Sequence, residues 1–506
     1  MSDFGRIFKA YDIRGRTDIG ELDAGGARGI GAAFAAFVGA DRIAVGRDCR
    51  ASSPSIAGAF IEGITGQGVD VLDLGEVATD TVYYVAGAEN VPGAMITASH
   101  NPPEYNGIKL CRAGAAPIGH DTGLQEIRAM AEQGVSAAAA TGSVEAFDAN
   151  SGYVEHLFSI VNGPAISNLL VAVDGGNGMA GVVLPEVFSR IGAQLIPLYL
   201  EPDGTFPNHP ADPLNPDNLV DLIALMGEEG ADLGVAFDGD ADRAFFIDDQ
   251  LIPLSGSTTT ALIARWFLGR EPGAAIVHNL ITSRAVPEIV SAAGGRPIRT
   301  RVGHSYIKQV MAETGAVFGG EHSGHYYFRD NYRADSGMLA MLVLLQVVSE
   351  SGRPLSQLRL EVEPYSASGE INLAVDDQPV AMAAVENHFA AAELDTTDGL
   401  TVSWPDRWFN LRPSNTEPVL RLNVEGPDDV AVDELVGRVR AVIGGAGGGP
   451  GLIAPELKAI LVCPKCHGDL REDIENSKLE CTQCGLRYPV ADGIPVMLID
   501  EAESPS

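Results

Sequence analysis

Val235-Ala236-Phe237-Asp238-Gly239-Asp240-Ala241-Asp242-Arg243-Ala244-Phe245-Phe246-Ile247 is the most informative stretch of the chain. Its two ends are short apolar runs that read as buried strands, so the polar centre is a loop at a strand end. In extended or loop backbone, three carboxylates at a spacing of two residues project to one side and can converge on a hard divalent cation. An EF-hand loop also begins with alternating Asp. That loop needs Gly at its sixth position and Glu at its twelfth, where this chain has Arg243 and Asp249. Arg243 points instead to an anion such as phosphate sharing the metal. The competing reading, a solvated acidic turn, fits poorly between such apolar flanks.

Outward from this loop, four other polar stretches carry chemistry. Met95-Ile96-Thr97-Ala98-Ser99-His100-Asn101-Pro102-Pro103 is an apolar strand stopped by a double proline. Ser99 is expected on a turn, where a hydroxyl can act as nucleophile or phosphate carrier; alone, the stretch could equally be a structural turn. Asn106-Gly107 marks a tight turn, with Lys109 on a short strand after it. Gly319-Gly320-Glu321-His322-Ser323-Gly324-His325 offers a carboxylate, a hydroxyl and imidazoles on a flexible loop, which suits contact with sugar hydroxyls. Arg412-Pro413-Ser414-Asn415-Thr416-Glu417-Pro418, with Arg421 beyond, is a phosphate cradle by its count of donors. Lys9-Ala10-Tyr11-Asp12-Ile13-Arg14-Gly15 adds cationic donors near the N-terminus. Each of these could also be an ordinary polar turn.

Between the motifs one pattern recurs: an apolar, β-branched run, a polar or glycine-rich break, then a helical stretch. Ile43 to Asp48 leads into Ser52 to Gly66, Leu169 to Val173 into Val183 to Ile191, and Ala274 to Val277 into Ser283 to Ala292. Three such openings suggest three related α/β units. After Pro364 the pattern changes to strands and a helix around Val432 to Val442, a smaller α+β unit. Gly444 to Gly451 is too glycine-rich for regular structure and separates a four-cysteine tail. With 506 residues, of which 45% are hydrophobic and 20% charged, the chain can bury several cores without disulfides.

Charge and cysteine usage narrow the function. The formal net charge is −34, so phosphate backbones and anionic lipids would repel the chain, and neither nucleic acid nor membrane is an expected partner. The N-terminus lacks a basic and then apolar leader, and the apolar stretch Met338 to Leu345 is too short to span a bilayer and reads as core. Cys49 and Cys111 stand apart from the four tail cysteines, a distribution that suits the reducing cytoplasm.

In the order Phe8 to Gly15, Thr97 to Pro102, Asp238 to Arg243, Gly320 to His325 and Arg412 to Pro418, these stretches resemble the α-D-phosphohexomutases, the phosphomannomutase and phosphoglucomutase family, across nearly all of residues 4 to 445. The resemblance implies three related mixed α/β domains and a smaller α+β fourth around a central cleft, each giving one motif loop. The expected divisions are 1–150, 151–253, 254–365 and 366–445, then a linker at 446–454 and a zinc ribbon at 455–506.

Function follows from the resemblance residue by residue. Ser99 would be the phosphoserine, next to His100. Asp238, Asp240 and Asp242 would hold Mg²⁺ together with an oxygen on Ser99, and Arg243 would stand beside them. Glu321 and Ser323 would read sugar hydroxyls. Arg412, Ser414, Asn415, Thr416 and Arg421 would hold the phosphate that is not reacting. Lys109, His304 and His325 would move protons, and Tyr11 and Arg14 would line the mouth of the cleft. A single cradle implies that a hexose 1,6-bisphosphate intermediate turns end for end between two transfers. Asn415 and the Glu321 loop look most like the mannose branch, with glucose phosphates also accepted; phosphoglucomutase and phosphoglucosamine mutase are the alternatives within the family. A sugar phosphatase and a partner-recruiting scaffold are the readings from other classes.

The tail pairs Cys463-Pro464-Lys465-Cys466 with Cys481-Thr482-Gln483-Cys484. Two such knuckles place four thiolates tetrahedrally, which closes the shell around a structural Zn²⁺. The tail is similar to a short zinc-ribbon family known partly as activating partners of methyltransferases, so a protein partner for it is conceivable.

Overall fold

The computed structural model describes residues 4–375, 377–414, 419–446, 461–466, 468–473, 478–491, 494–499 and 502. The chain forms two compact units, Met1–Pro364 and Tyr365–Ser506.

Three sheets build the first unit, and each follows the recurring sequence pattern. In the first, the parallel strands Val144–Ala146, Asp70–Glu76, Arg42–Arg47 and Gly93–Ile96 lie side by side; Tyr105–Arg112 then pairs antiparallel with Gly93–Ile96, and Ile13–Arg16 completes the far edge. In the second, Gly192–Leu198, Ser167–Asp174 and Leu233–Phe237 run parallel, and Ala244–Ile247 pairs antiparallel with the last. In the third, Arg296–Thr300, Ala275–Asn279 and Phe318–Gly320 run parallel, with Tyr326–Phe328 antiparallel. The strands entering the motif loops, Gly93–Ile96, Leu233–Phe237 and Phe318–Gly320, are buried at every position, as expected of parallel strands covered on both faces.

The sheets place the motifs equivalently. Each motif loop leaves the carboxyl end of a parallel strand and returns as its antiparallel neighbour: residues 97–104, 238–243 and 321–325. Ligands of open α/β sheets gather at that end of the strands.

The helices expected from sequence form as Ser53–Thr65, Ala180–Ser189 and Ala285–Ala292. The helix Gly337–Ser351 contains the apolar stretch Met338 to Leu345, and each of those eight residues is buried. Being apolar all round, it needs cover on every side, and it finds it in one continuous core shared by the second and third sheets, with Val171, Val173, Val235 and Phe237 on one hand and Ile276 and Phe318 on the other. Among the described residues no helix is long and apolar enough to cross a membrane.

In the second unit, a five-stranded antiparallel sheet runs Ser366–Ala374, Val419–Gly426, Trp408–Pro413, Leu400–Ser403, Glu393–Asp395. Its helices Gln378–His388 and Asp429–Ala446 cover a core of Val385, Phe409, Leu422 and Leu435. The tail forms the antiparallel strands Leu470–Asp473, Lys478–Cys481, Arg487–Ala491 and Ile494–Pro495. Of the expected glycine-rich linker, residues 447–454 lie outside the described residues.

Candidate active site

The first unit brings the loops of its three sheets together. Ser99 has a left-handed backbone (φ 52°), uncommon for a residue with a Cβ, and it lies on the expected turn but is buried. Ser99 Oγ donates to Asp238 Oδ2 at 2.7 Å, across from the second sheet, and lies 3.2 Å from His100 Nδ1. Close approach of the two loops depends on Gly239, where a Cβ would fall 2.6 Å from the carbonyl oxygen of Ser99.

Asp238, Asp240 and Asp242 are all buried, and one carboxylate oxygen from each lies within 4.8 Å of the others. Asp240 Oδ1 and Asp242 Oδ1 have no hydrogen-bond partner among the described residues. A buried carboxylate oxygen without a donor is costly, and a hard cation would satisfy both, so this donor set fits Mg²⁺. The charges are partly matched: Lys109 Nζ contacts Asp240 Oδ2 at 2.6 Å and also Asp242 Oδ2, and Arg243 Nε donates to Asp238 Oδ2 at 2.8 Å. Burial, together with the negative charge of Asp240 and Asp242, pushes the Asp238 carboxyl up. Asp240 goes the other way, because Lys109 overcomes the burial that works against its charge. Burial alone would lower the Lys109 ammonium, but Asp240 and Asp242 outweigh it and keep it charged. For His100, burial and then Arg243 and Arg14 lower the pKa well below the usual imidazole value, leaving the ring neutral. Arg243 Nη2 has no partner among the described residues although the side chain is buried, a free donor beside the acidic cluster.

The third loop adds Glu321, Ser323 and His325. Glu321 is buried; its Oε1 accepts from Asn279 Nδ2 at 3.2 Å and the Gly303 amide at 3.1 Å, and its Oε2 from the Tyr327 hydroxyl at 2.7 Å. Three donors fix this carboxylate and leave it lone-pair capacity for a ligand hydroxyl. His325 links the two sheets: Nε2 is 3.8 Å from Asp242 Oδ1, Nδ1 is 3.7 Å from Glu321 Oε2, and Ser323 Oγ lies 3.1 Å from Nδ1. Tyr11 donates to the Val302 carbonyl at 3.2 Å, and Arg14 donates to Asp12 at 2.8 Å, to the Ala98 carbonyl at 3.3 Å and to Asn101. His304 opens the helix His304–Thr314; its side chain lies outside the description.

In the second unit, Arg412 and Arg421 face each other across paired strands. Glu370 receives both, at 3.2 and 3.4 Å, and the Nε of each arginine has no hydrogen-bond partner among the described residues. Ser414 is buried at the loop base, where its amide donates to the Val419 carbonyl at 2.9 Å. Asn415 and Thr416 lie outside the described residues. In the tail, the sulfurs of Cys463, Cys466, Cys481 and Cys484 lie within 4.8 Å of one another, with Cys463–Cys484 at 3.6 Å and Cys466–Cys481 at 3.4 Å. Tetrahedral Zn–S bonds of about 2.3 Å put sulfurs roughly 3.8 Å apart, so the cluster fits zinc.

Sequence reading missed two contributors. Thr79 begins the helix Thr79–Ala88; its hydroxyl donates to Asp240 Oδ2 at 2.6 Å and its amide to the Asp240 carbonyl at 3.0 Å. Asn279 holds Glu321. Neither belongs to a motif, and the only local signal is a Thr at a helix start and an Asn at a strand end.

Comparison with known proteins agrees with this architecture. Models of the phosphoglucomutase/phosphomannomutase family match in order: alpha/beta/alpha domain I at residues 5–138, domain II at 151–251, domain III at 255–365 and the C-terminal domain at 370–442. A Trm112p-like model matches residues 455–493. A phosphomannomutase of Salmonella montevideo is 40% identical over 439 residues, covering 84% of this chain and 96% of the relative. A Xanthomonas campestris protein named for phosphohexose mutases is also 40% identical, over 432 residues, with the same coverage of 84% and 96%. The crystal structure of a phosphoglucomutase/phosphomannomutase family protein from Burkholderia thailandensis aligns with a TM-score of 0.81 at 34% identity, over 89% of this chain and 99% of that one.

Proposed function

The chain belongs to the phosphoglucomutase/phosphomannomutase family, and on that premise we propose that it interconverts mannose 6-phosphate and mannose 1-phosphate, accepts glucose phosphates as well, and feeds GDP-mannose synthesis. The observation that carries this reading is the 2.7 Å hydrogen bond from Ser99 to Asp238 inside a cluster of three buried carboxylates.

Ser99 carries the phosphoryl group between turnovers. In the first transfer the P–O bond to Ser99 Oγ breaks while a hydroxyl of the bound hexose monophosphate forms the new one, giving a hexose 1,6-bisphosphate and free serine. The sugar hydroxyl loses a proton and Ser99 Oγ gains one. His100, neutral and 3.2 Å from Oγ, exchanges the proton on the serine side, while Lys109, His304 and His325 serve the sugar side. After the sugar turns over, its other phosphate goes back to Ser99, and the isomeric monophosphate leaves.

Asp238, Asp240 and Asp242 would hold Mg²⁺ with an oxygen on Ser99. Bound there, the ion would neutralise charge on the transferring phosphoryl group, which is chiefly what such transfers require. Arg243, with a free Nη2, takes an oxygen of the same group. Glu321 and Ser323 hold sugar hydroxyls, and Tyr11 and Arg14 line the approach. Arg412, Ser414, Asn415, Thr416 and Arg421 grip the non-reacting phosphate; the two unpartnered Nε groups support this. Zinc in the four-cysteine cluster is structural, and the ribbon is the surface offered to a protein partner. Cys49 and Cys111, thiols outside the four-cysteine cluster, support a cytoplasmic enzyme.

A coupled assay of mannose 1-phosphate, glucose 1-phosphate and glucosamine 1-phosphate, with inorganic phosphate followed in parallel, tests the reading. Turnover fastest on mannose 1-phosphate without stoichiometric phosphate release is expected. Release of one phosphate per sugar consumed would make the protein a phosphatase, and preference for glucosamine 1-phosphate would move it to another branch.

A further inference from the structure

Arg50 is among the largest fully buried side chains of the described residues, and it belongs to no motif. Burying a guanidinium is costly unless every N–H is satisfied. Here all five are. Nε donates to Asp48 Oδ2 at 3.1 Å; Nη1 donates to the carbonyls of Pro102 and Tyr105 at 2.6 and 3.1 Å; Nη2 donates to those of Ser99 and Asn101 at 2.7 and 2.6 Å. One planar group thus ties four carbonyls spread over residues 99–105, the whole return of the Ser99 loop. The loop's other bonds are local ones, such as the Asn101 amide to the Ala98 carbonyl and the Ser99 amide to Thr97 Oγ1, and ties from Arg14 to the Ala98 carbonyl and Asn101, from Thr17 to the Glu104 carbonyl and from Ser99 Oγ to Asp238.

The same residue abuts the second sheet's segment. The Phe206 ring covers the guanidinium, with its centroid 5.0 Å away, and a Cβ on Gly204 would fall 2.3 Å from the Arg50 Cα. Arg50 therefore sits where the backbone that bears Ser99 meets the domain that bears Asp238, Asp240 and Asp242. Asp48, itself buried, orients it by accepting from both Nε and the Arg50 amide at 3.1 Å.

We propose that Arg50 is a positioning residue for phosphoryl transfer: its fork holds the Ser99 turn in its left-handed conformation and thereby sets where Oγ stands relative to the acidic cluster. The proposal rests on Ser99 being the phosphate carrier. Lysine cannot replace the fork, because an ammonium has three N–H groups and no planar geometry to reach four carbonyls. Displacements of about 1 Å at a reacting group cost roughly 100-fold.

The test is Arg50→Lys in the full-length enzyme, with kcat, KM, melting temperature and the fraction of phosphate lost to water measured together. Loss of kcat by about 10- to 100-fold, with KM held within about threefold and more phosphate lost to water, is the expected result at a temperature where the variant stays folded; its melting temperature falls, because buried carbonyls lose their donor. Normal kcat, or a raised KM at unchanged kcat, overturns it. If Arg50→Lys does not fold, Asp48→Asn decides: it keeps the shape and weakens the group that orients Arg50, which also accepts from the Ser53 hydroxyl, so a smaller kcat loss at constant KM that Ser53→Ala does not reproduce supports the proposal, and unchanged kcat or an equal loss in Ser53→Ala overturns it. Ser99→Ala separates the premise from the inference. An inactive Ser99→Ala beside a normal Arg50→Lys removes only the Arg50 role, whereas an active Ser99→Ala removes the premise.

Discussion

Ser99 and Asp238 lie 139 positions apart in the chain, yet the serine hydroxyl donates to the aspartate at 2.7 Å. The contact joins two sheets through loops of identical construction, each the return from a parallel strand to an antiparallel neighbour. The hydroxyl is thereby placed against a buried cluster of carboxylates, where a cation bound between them would reach a phosphoryl group on Oγ.

Thr79 holds Asp240 through both its hydroxyl and its amide. Outer partners of metal ligands typically contribute 10- to 100-fold to metal affinity. Thr79→Val keeps the shape and removes the hydroxyl, so the Mg²⁺ concentration for half-maximal turnover should rise about tenfold while KM for the sugar phosphate stays constant. A Mg²⁺ titration of turnover measures this; an unchanged midpoint would separate Thr79 from the metal site.

Burial pushes the Cys49 thiol up to about 12, with Asp48 adding to the effect, and burial does the same for Cys111. A thiol alkylates as the thiolate, so neither should react with iodoacetamide at neutral pH in the folded enzyme. Peptide mapping after brief labelling is expected to find both unmodified. Rapid labelling of Cys49 or Cys111 would show that these sites open readily.

The fold was largely legible because its repeat is local: an apolar run, a polar break and a helix can each be read within about thirty residues. The candidate site was legible where one turn concentrates polar side chains that the structure then brings together, as at Asp238 to Arg243 and Thr97 to Pro102. Thr79, Asn279 and Arg50 were not, because each acts on a residue far away in sequence and leaves only an ordinary Thr, Asn or Arg behind. The helix Gly337–Ser351 shows the same divide. Its all-round apolar character announces burial, but nothing local says that it will join the second and third sheets in one core.

His209 faces acceptors with both ring nitrogens, Asp174 Oδ2 at 2.9 Å and the Pro210 carbonyl at 2.8 Å, with Tyr199 at its edge and Asp221 adding negative charge. The hydrogen bond to Asp174 raises its pKa above the ordinary 6.5, against the effect of burial. A raised folded-state pKa means that the charged ring stabilises the fold fully below pH 6.5, and that this contribution fades as pH climbs through the folded value. His209→Gln should therefore cost more melting temperature at pH 6 than at pH 9. Melting curves of both proteins across that range check the sign; an equal loss at both ends would mean that the charge contributes nothing.

None of the residues assigned to sugar chemistry lies in the four-cysteine tail. Displacing zinc from Cys463, Cys466, Cys481 and Cys484 with a mercurial should release one zinc per chain. Deleting residues 452–506 should leave mannose phosphate turnover largely intact. Loss of turnover on deletion would make the ribbon part of the working enzyme.

The most direct measurement is a peptide mass spectrum of the enzyme after incubation with a hexose 1,6-bisphosphate carrying ¹⁸O-labelled phosphates and Mg²⁺, followed by a chase with unlabelled mannose 1-phosphate. One labelled phosphoryl group on Ser99, acquired in the first step and exchanged for an unlabelled one in the second at the rate of turnover, is the result expected here. An active enzyme whose Ser99 never gains that mass, or keeps the label throughout the chase, would contradict the mechanism.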